Sequence, residues 1–174
     1  MNTNWRISSV NGVLLAAYFV PTWLMVAFKI VVSPIHALYD RPNISVAIFL
    51  SDHFHLAATA TVRTAWMLAL AKLTVAAFLT VFVALLMRPS IRKAGGGDEA
   101  LAIALTLGSV ISFASMIMAS QVGELEAMRL HATELLLLLG TAIVMLVERP
   151  REAVTTVAER PAMMPNYPHA PQNS

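Results

Sequence analysis

The chain has 174 residues, of which 57% are hydrophobic and only 13% charged, with a net charge of +2 and no cysteine. Soluble domains carry about a quarter charged residues, so this composition points to lipid as the solvent. The lack of cysteine excludes disulfides, thiolate metal sites and cysteine nucleophiles. The small net charge, with no basic patch interleaved with aromatics, argues against a nucleic-acid partner.

Spanning a bilayer takes about 20 apolar residues. The first such stretch is 10–32, preceded by Arg6. It is longer than a signal-peptide core and no small-residue cleavage pattern follows it, so an uncleaved first helix is expected. Pro21 should kink this helix without breaking it. Ser33-Pro34 ends it.

A shorter apolar patch, Ile44 to Leu50, follows Arg41-Pro42 and precedes Ser51-Asp52. It cannot span, and reads as an interfacial helix or a re-entrant turn. The Asn43-Ile44-Ser45 triplet matches a glycosylation acceptor. The composition is rich in alanine, leucine, valine and arginine and poor in lysine, which looks bacterial and would leave that triplet without meaning.

The second span is 64–87, with a helical lead-in from about His55. The third is 100–121 and the fourth 130–147. Arg88-Pro89 closes the second, Gly95-Gly96-Gly97 forms a flexible loop, and Glu148-Arg149-Pro150 stops the fourth. The expected fold is an all-α integral membrane protein: a four-transmembrane-helix bundle with a short interfacial segment in the first outer loop. Residues 1–150 would form the transmembrane domain. Residues 151–174 would form a cytoplasmic tail, proline-rich and disordered from about Met163.

Orientation follows from the basic residues outside the spans. One side carries Arg6, Arg88, Arg92, Lys93, Arg149, Arg151 and Arg160; the other carries Arg41, Arg63 and Arg129. The richer side belongs in the cytoplasm. Four spans with both termini inside a bacterial inner membrane is the consistent topology.

Helix packing has a signature in the third span. Ala104, Gly108, Ser112, Ser115 and Ala119 recur at spacings of three and four, which puts small residues on one face. In lipid such a stripe lets backbones approach closely. Ala65, Ala69, Lys72 and Ala76 make a similar face on the second span. The partners could be in the same chain or another copy.

Lys72 is the least expected residue. A charge deep in the bilayer costs at least about 2.5 kcal/mol and must find a partner inside the bundle. Glu134, in the fourth span, is the candidate. Together they would form a structural ion pair or, alternatively, a proton or ion relay. Lys29, near the end of its span, can snorkel to the interface and needs no partner.

Four of the five histidines, His36, His53, His55 and His131, fall on the outer side or at its membrane edge, with Asp40, Asp52, Glu124, Glu126 and Glu134. His131 and Glu134 share a helix face at i and i+3. Imidazole and carboxylate suit a transition metal. A haem b site would need two histidines from facing elements, with His55 and His131 the best pair. No phosphate-binding loop, nucleophile motif or dinucleotide fingerprint is present.

Three functions are therefore expected in order. The first is a non-catalytic accessory, assembly or self-associating subunit, whose partners are the lipid bilayer and other membrane subunits or itself. The second is a metal- or haem b-binding redox subunit. The third is a small proton-coupled transporter or channel using Lys72 and Glu134.

Overall fold

The computed structural model describes residues 6–90 and 96–148. The tail read as disordered lies outside the described residues, as do Trp5, Arg92, Lys93 and His169. Six helices cover the described chain: α1 Ile7–Val32, α2 Pro34–Leu38, α3 Ile44–Phe54, α4 Ala58–Leu86, α5 Asp98–Val122 and α6 Leu125–Glu148. Four of them, α1, α4, α5 and α6, are long and apolar enough to cross a membrane. The all-α four-helix bundle is as expected.

Each long helix overruns its apolar run. Helix α4 starts at Ala58 and α6 at Leu125, several residues before the spans read from hydropathy. Apolarity marks the part of a helix that meets lipid, while the backbone hydrogen-bond ladder continues into the polar margin. His55 does not lead into α4. It takes the left-handed conformation, φ 45°, as the residue that closes α3. Helix α1 runs through Pro21 unbroken. Gly123, at φ 77°, closes α5 in the left-handed conformation that favours glycine and lets α6 begin two residues later.

The long helices are arranged in a ring in the order α1, α4, α5, α6. Helices α1 and α6 meet least closely of the four neighbouring pairs. The larger core joins all four, with Phe19, Leu79, Phe82, Leu101 and Leu138 among its members. A second core joins Ala27 and Ile30 of α1, Ala37 and Leu38 of α2, Ala47 of α3, and Ala65 and Ala69 of α4. The segment 34–54 is therefore a pair of short helices packed into one end of the bundle, with α3 resting on α5.

The small-residue stripe of α5 is consumed inside the chain. Ala104, Gly108, Ser112, Ser115 and Ala119 are all buried. A Cβ on Gly108 would lie 3.2 Å from Leu138 and 3.6 Å from Val75, so this glycine is where α4 and α6 come close to α5. Lipid offers no hydrophobic drive between helices, and such close approach supplies the dispersion contact that does. Ala65, Ala69, Lys72 and Ala76 are likewise buried on α4.

At the other end, three chain segments far apart in sequence are tied together. The guanidinium of Arg6 donates to Asp98 at 2.8 Å and to the backbone carbonyl of Glu148. The Glu148 carboxylate accepts the backbone N–H groups of Ile7 and Ser8, each at 2.8 Å. Arg6 cannot cap the helix that follows it, so a carboxylate from the end of α6 does so, on the positive end of the α1 dipole.

Candidate functional site

The interior polar groups gather in the half of the bundle that holds α2 and α3. Lys72 stands at the midpoint of α4, fourteen residues from either end. Its ammonium donates to the Asn43 side-chain oxygen at 2.8 Å. Asn43 is 1% exposed and its amide nitrogen donates to the Ala37 carbonyl at 2.9 Å. Its carboxamide thus pins the α2–α3 turn to the middle of α4. Burial this complete leaves the Asn43-Ile44-Ser45 triplet no access to a glycan.

Glu134 lies nine residues into α6, about 14 Å from the helix start. That is deeper than the fourth apolar run suggests, because α6 begins earlier. Its carboxylate accepts from Trp23 Nε1 of α1 at 3.3 Å and Ser112 Oγ of α5 at 3.3 Å. It also pairs with His131 Nδ1, one turn earlier on α6, at 3.0 Å. Three helices meet at one side chain.

The expected direct pair between Lys72 and Glu134 is not formed; an indole stands in its place. The Lys72 ammonium lies 5.9 Å from the centre of the Trp23 ring, within cation–π range, while the edge of the same indole donates to Glu134. Trp23, 2% exposed, packs edge-on against Phe19 at 5.1 Å, which fixes its plane. The sequence alone offers Trp23 as no more than an interfacial or packing residue, and this role is missed. The signal available was a tryptophan at mid-span, away from the membrane boundary where most sit.

His131 completes the cluster. An ionised Glu134 carboxylate can only accept, and toward it the Nδ1–H tautomer of His131 is the one that forms the bond. Its Nε2 is buried with no hydrogen-bond partner. Glu134, by contrast, has a donor on both oxygens.

The other histidines are elsewhere. His36 is exposed on α2 with its Nδ1 3.1 Å from Ser33 Oγ. His53 is exposed on α3, stacked on Phe49 and bonded to its carbonyl. His55 is exposed at the end of α3. Of the five residues considered for a metal, only His131 and Glu134 are brought into contact. Among the described residues no group of three or more histidine, aspartate or glutamate side chains is placed to hold a metal ion. His131, 2% exposed, presents no open face to a haem ring.

A different feature lies on the lipid-facing side, where α1 and α6 separate. A groove of about 430 Å³ runs between them, lined by apolar Leu14, Leu136 and Val144 and also by Asn11, Tyr18, Thr141 and Gly140. A Cβ placed on Gly140 would meet nothing within 4 Å. Most threonine hydroxyls on the spans are satisfied by their own helix, as Thr74, Thr106, Thr133 and Thr141 donate to the carbonyl four residues back. Asn11 and Tyr18 present larger polar groups to this groove.

No protein-family model matches the chain, and no curated protein or solved structure matches it either.

Proposed function

We propose that the chain is a small multi-pass membrane protein of a bacterial inner membrane, acting as a non-catalytic accessory, assembly or self-associating subunit. The Arg6 end would face the cytoplasm by its excess of basic residues. The observation that carries the reading is the α1–α6 groove. Acyl chains gain nothing from an asparagine, a tyrosine hydroxyl and a bare glycine. A transmembrane helix does, because glycine admits its backbone and polar side chains hydrogen-bond across the contact.

The interior cluster fits the same reading. Buried polar groups in membrane spans that are tied to one another fix the arrangement of a bundle, and here they tie α1, α4, α5, α6 and the α2–α3 turn. The α5 stripe cannot serve an external partner, because it is spent inside the chain.

The chain has no cysteine, so a single Gly140→Cys variant gives a site-specific crosslinker. In native membranes it should yield one discrete adduct, with a second copy or one other subunit. A cysteine at Leu70, exposed on the far helix α4, should not. Equal or absent crosslinking at both sites would sink the reading.

A second reading rests on a different observation. The unpartnered Nε2 of His131 beside Glu134, with Lys72 on the other side of Trp23, is an arrangement able to accept a proton within the membrane. It would make the protein a small proton-coupled transporter. Proton flux into reconstituted vesicles, lost in His131→Leu, would favour it over the accessory role.

A further inference from the structure

Beside the α2–α3 turn, the exposed face of α1 opens into a cavity of about 580 Å³. Small-molecule sites occupy about 300–1,000 Å³. The floor is Pro21, Met25 and Val26 with Thr22, whose hydroxyl is spent on the Tyr18 carbonyl of its own helix, and the mouth carries Lys29, Asp40 and Arg41. Polarity is graded along one axis. Lys29 lies three residues from the end of α1 and Pro21 eight residues further in, so the apolar floor reaches about 12 Å below the charged mouth. A bilayer changes from headgroup to acyl chain along the same direction.

The lining at the mouth holds two cations and one carboxylate, and a second carboxylate, Glu126, reaches Arg41 from outside the cavity. Both cations are engaged only at the surface. Lys29 lies 3.0 Å from Asp40 and is 60% exposed; Arg41 lies 3.3 Å from Glu126 and is 84% exposed. Pairs this exposed are weak and exchange readily, and arginine offers a phosphate two parallel donors. A smaller furrow adjoins past Lys29 and adds Ser33 and His36 at the same level. The grooves at α1–α6 and α5–α6 have no charged lining residue.

The geometry points to a binding site for one anionic phospholipid, with its phosphate between Lys29 and Arg41 and an acyl chain on Pro21, Met25 and Val26. Asn43 forms part of the wall and is also the acceptor for Lys72. The lipid therefore seats against the residue that anchors the α2–α3 turn to the bundle interior.

The test uses the full chain in nanodiscs of equimolar phosphatidylglycerol and phosphatidylcholine, with retained lipid counted by native mass spectrometry. One phosphatidylglycerol should be retained in preference. Lys29→Gln and Arg41→Gln should each lower that preference about fivefold, the scale on which single basic residues attract anionic lipid. Arg129→Gln, an exposed arginine on α6 outside the groove, should leave it unchanged. Equal retention of both lipids, or a preference that survives both groove variants, overturns the assignment. Thermal protection by inorganic phosphate alone, equal to that by the lipid and lost in Arg41→Gln, would make this a free-anion pocket and also overturn it.

Discussion

Trp23 of α1 donates its indole N–H to the Glu134 carboxylate of α6 at 3.3 Å, and the Lys72 ammonium lies 5.9 Å from the centre of the same ring. One aromatic side chain thereby separates and serves both buried charges. The carboxylate gains a donor, the ammonium gains a π face, and neither depends on direct contact with the other.

Trp23→Phe tests this division directly. An aromatic ring remains against Phe19, while the N–H and part of the indole's volume are lost and Glu134 Oε1 keeps no donor. The expected cost is about 1–2 kcal/mol in thermal or denaturant unfolding in detergent. A variant as stable as the parent would mean that the indole N–H bond to Glu134 contributes nothing to stability.

Asn43 and Lys72 should behave as a coupled pair. Asn43→Ala strands an ammonium, Lys72→Met strands a carboxamide, and the double variant removes both. A double-mutant cycle should return a coupling of about 0.5–2 kcal/mol, the scale of polar contacts between membrane helices. Additive losses would show that Lys72 is held by something else.

The cap supplied by Glu148 predicts a local effect. Glu148→Ala should cost about 1 kcal/mol and speed hydrogen exchange at the Ile7 and Ser8 amides, which then lack an acceptor. Glu148→Gln should restore part of the protection, since an amide oxygen accepts one of the two bonds without the charge. Unaltered exchange at Ile7 in the alanine variant would contradict the cap.

Glycines give a contrast of sign. A Cβ on Gly12 would lie 2.7 Å from the Phe82 ring, which is itself 1% exposed and unable to move freely. Gly12→Ala should destabilise by about 1–3 kcal/mol. Gly140 has open space, so Gly140→Ala should be neutral or stabilise by up to about 1 kcal/mol through helix propensity. Equal effects at the two sites would mean that the close approach of α1 to Phe82 is not tight.

The four spans were legible because lipid imposes a long, uniform apolar run, and the periodicity of small residues on α5 is visible at a glance. Lys72 stood out for the same reason, as a charge where none is expected. Its partner did not. Asn43 lies 29 residues earlier, in a loop beside Arg41-Pro42, where an asparagine looks like turn chemistry, and only the fold-back of α2 and α3 brings it to mid-α4. Glu148 looked like helix punctuation because its use as a cap depends on α1 and α6 ending level. His131 with Glu134 was readable from the i, i+3 spacing. Trp23 and Ser112 joining them required the ring order of the helices.

The most direct test of the account is native mass spectrometry of the protein released from its own membrane, comparing the parent with Asn11→Leu/Gly140→Leu. The parent should carry a second polypeptide, either another copy or a distinct subunit. The double variant should lose it while its unfolding midpoint stays within about 0.5 kcal/mol of the parent in stability, as surface changes usually do. A parent that emerges as a bare single chain, or a double variant that keeps the same companion, would contradict the α1–α6 groove as the surface through which this protein works.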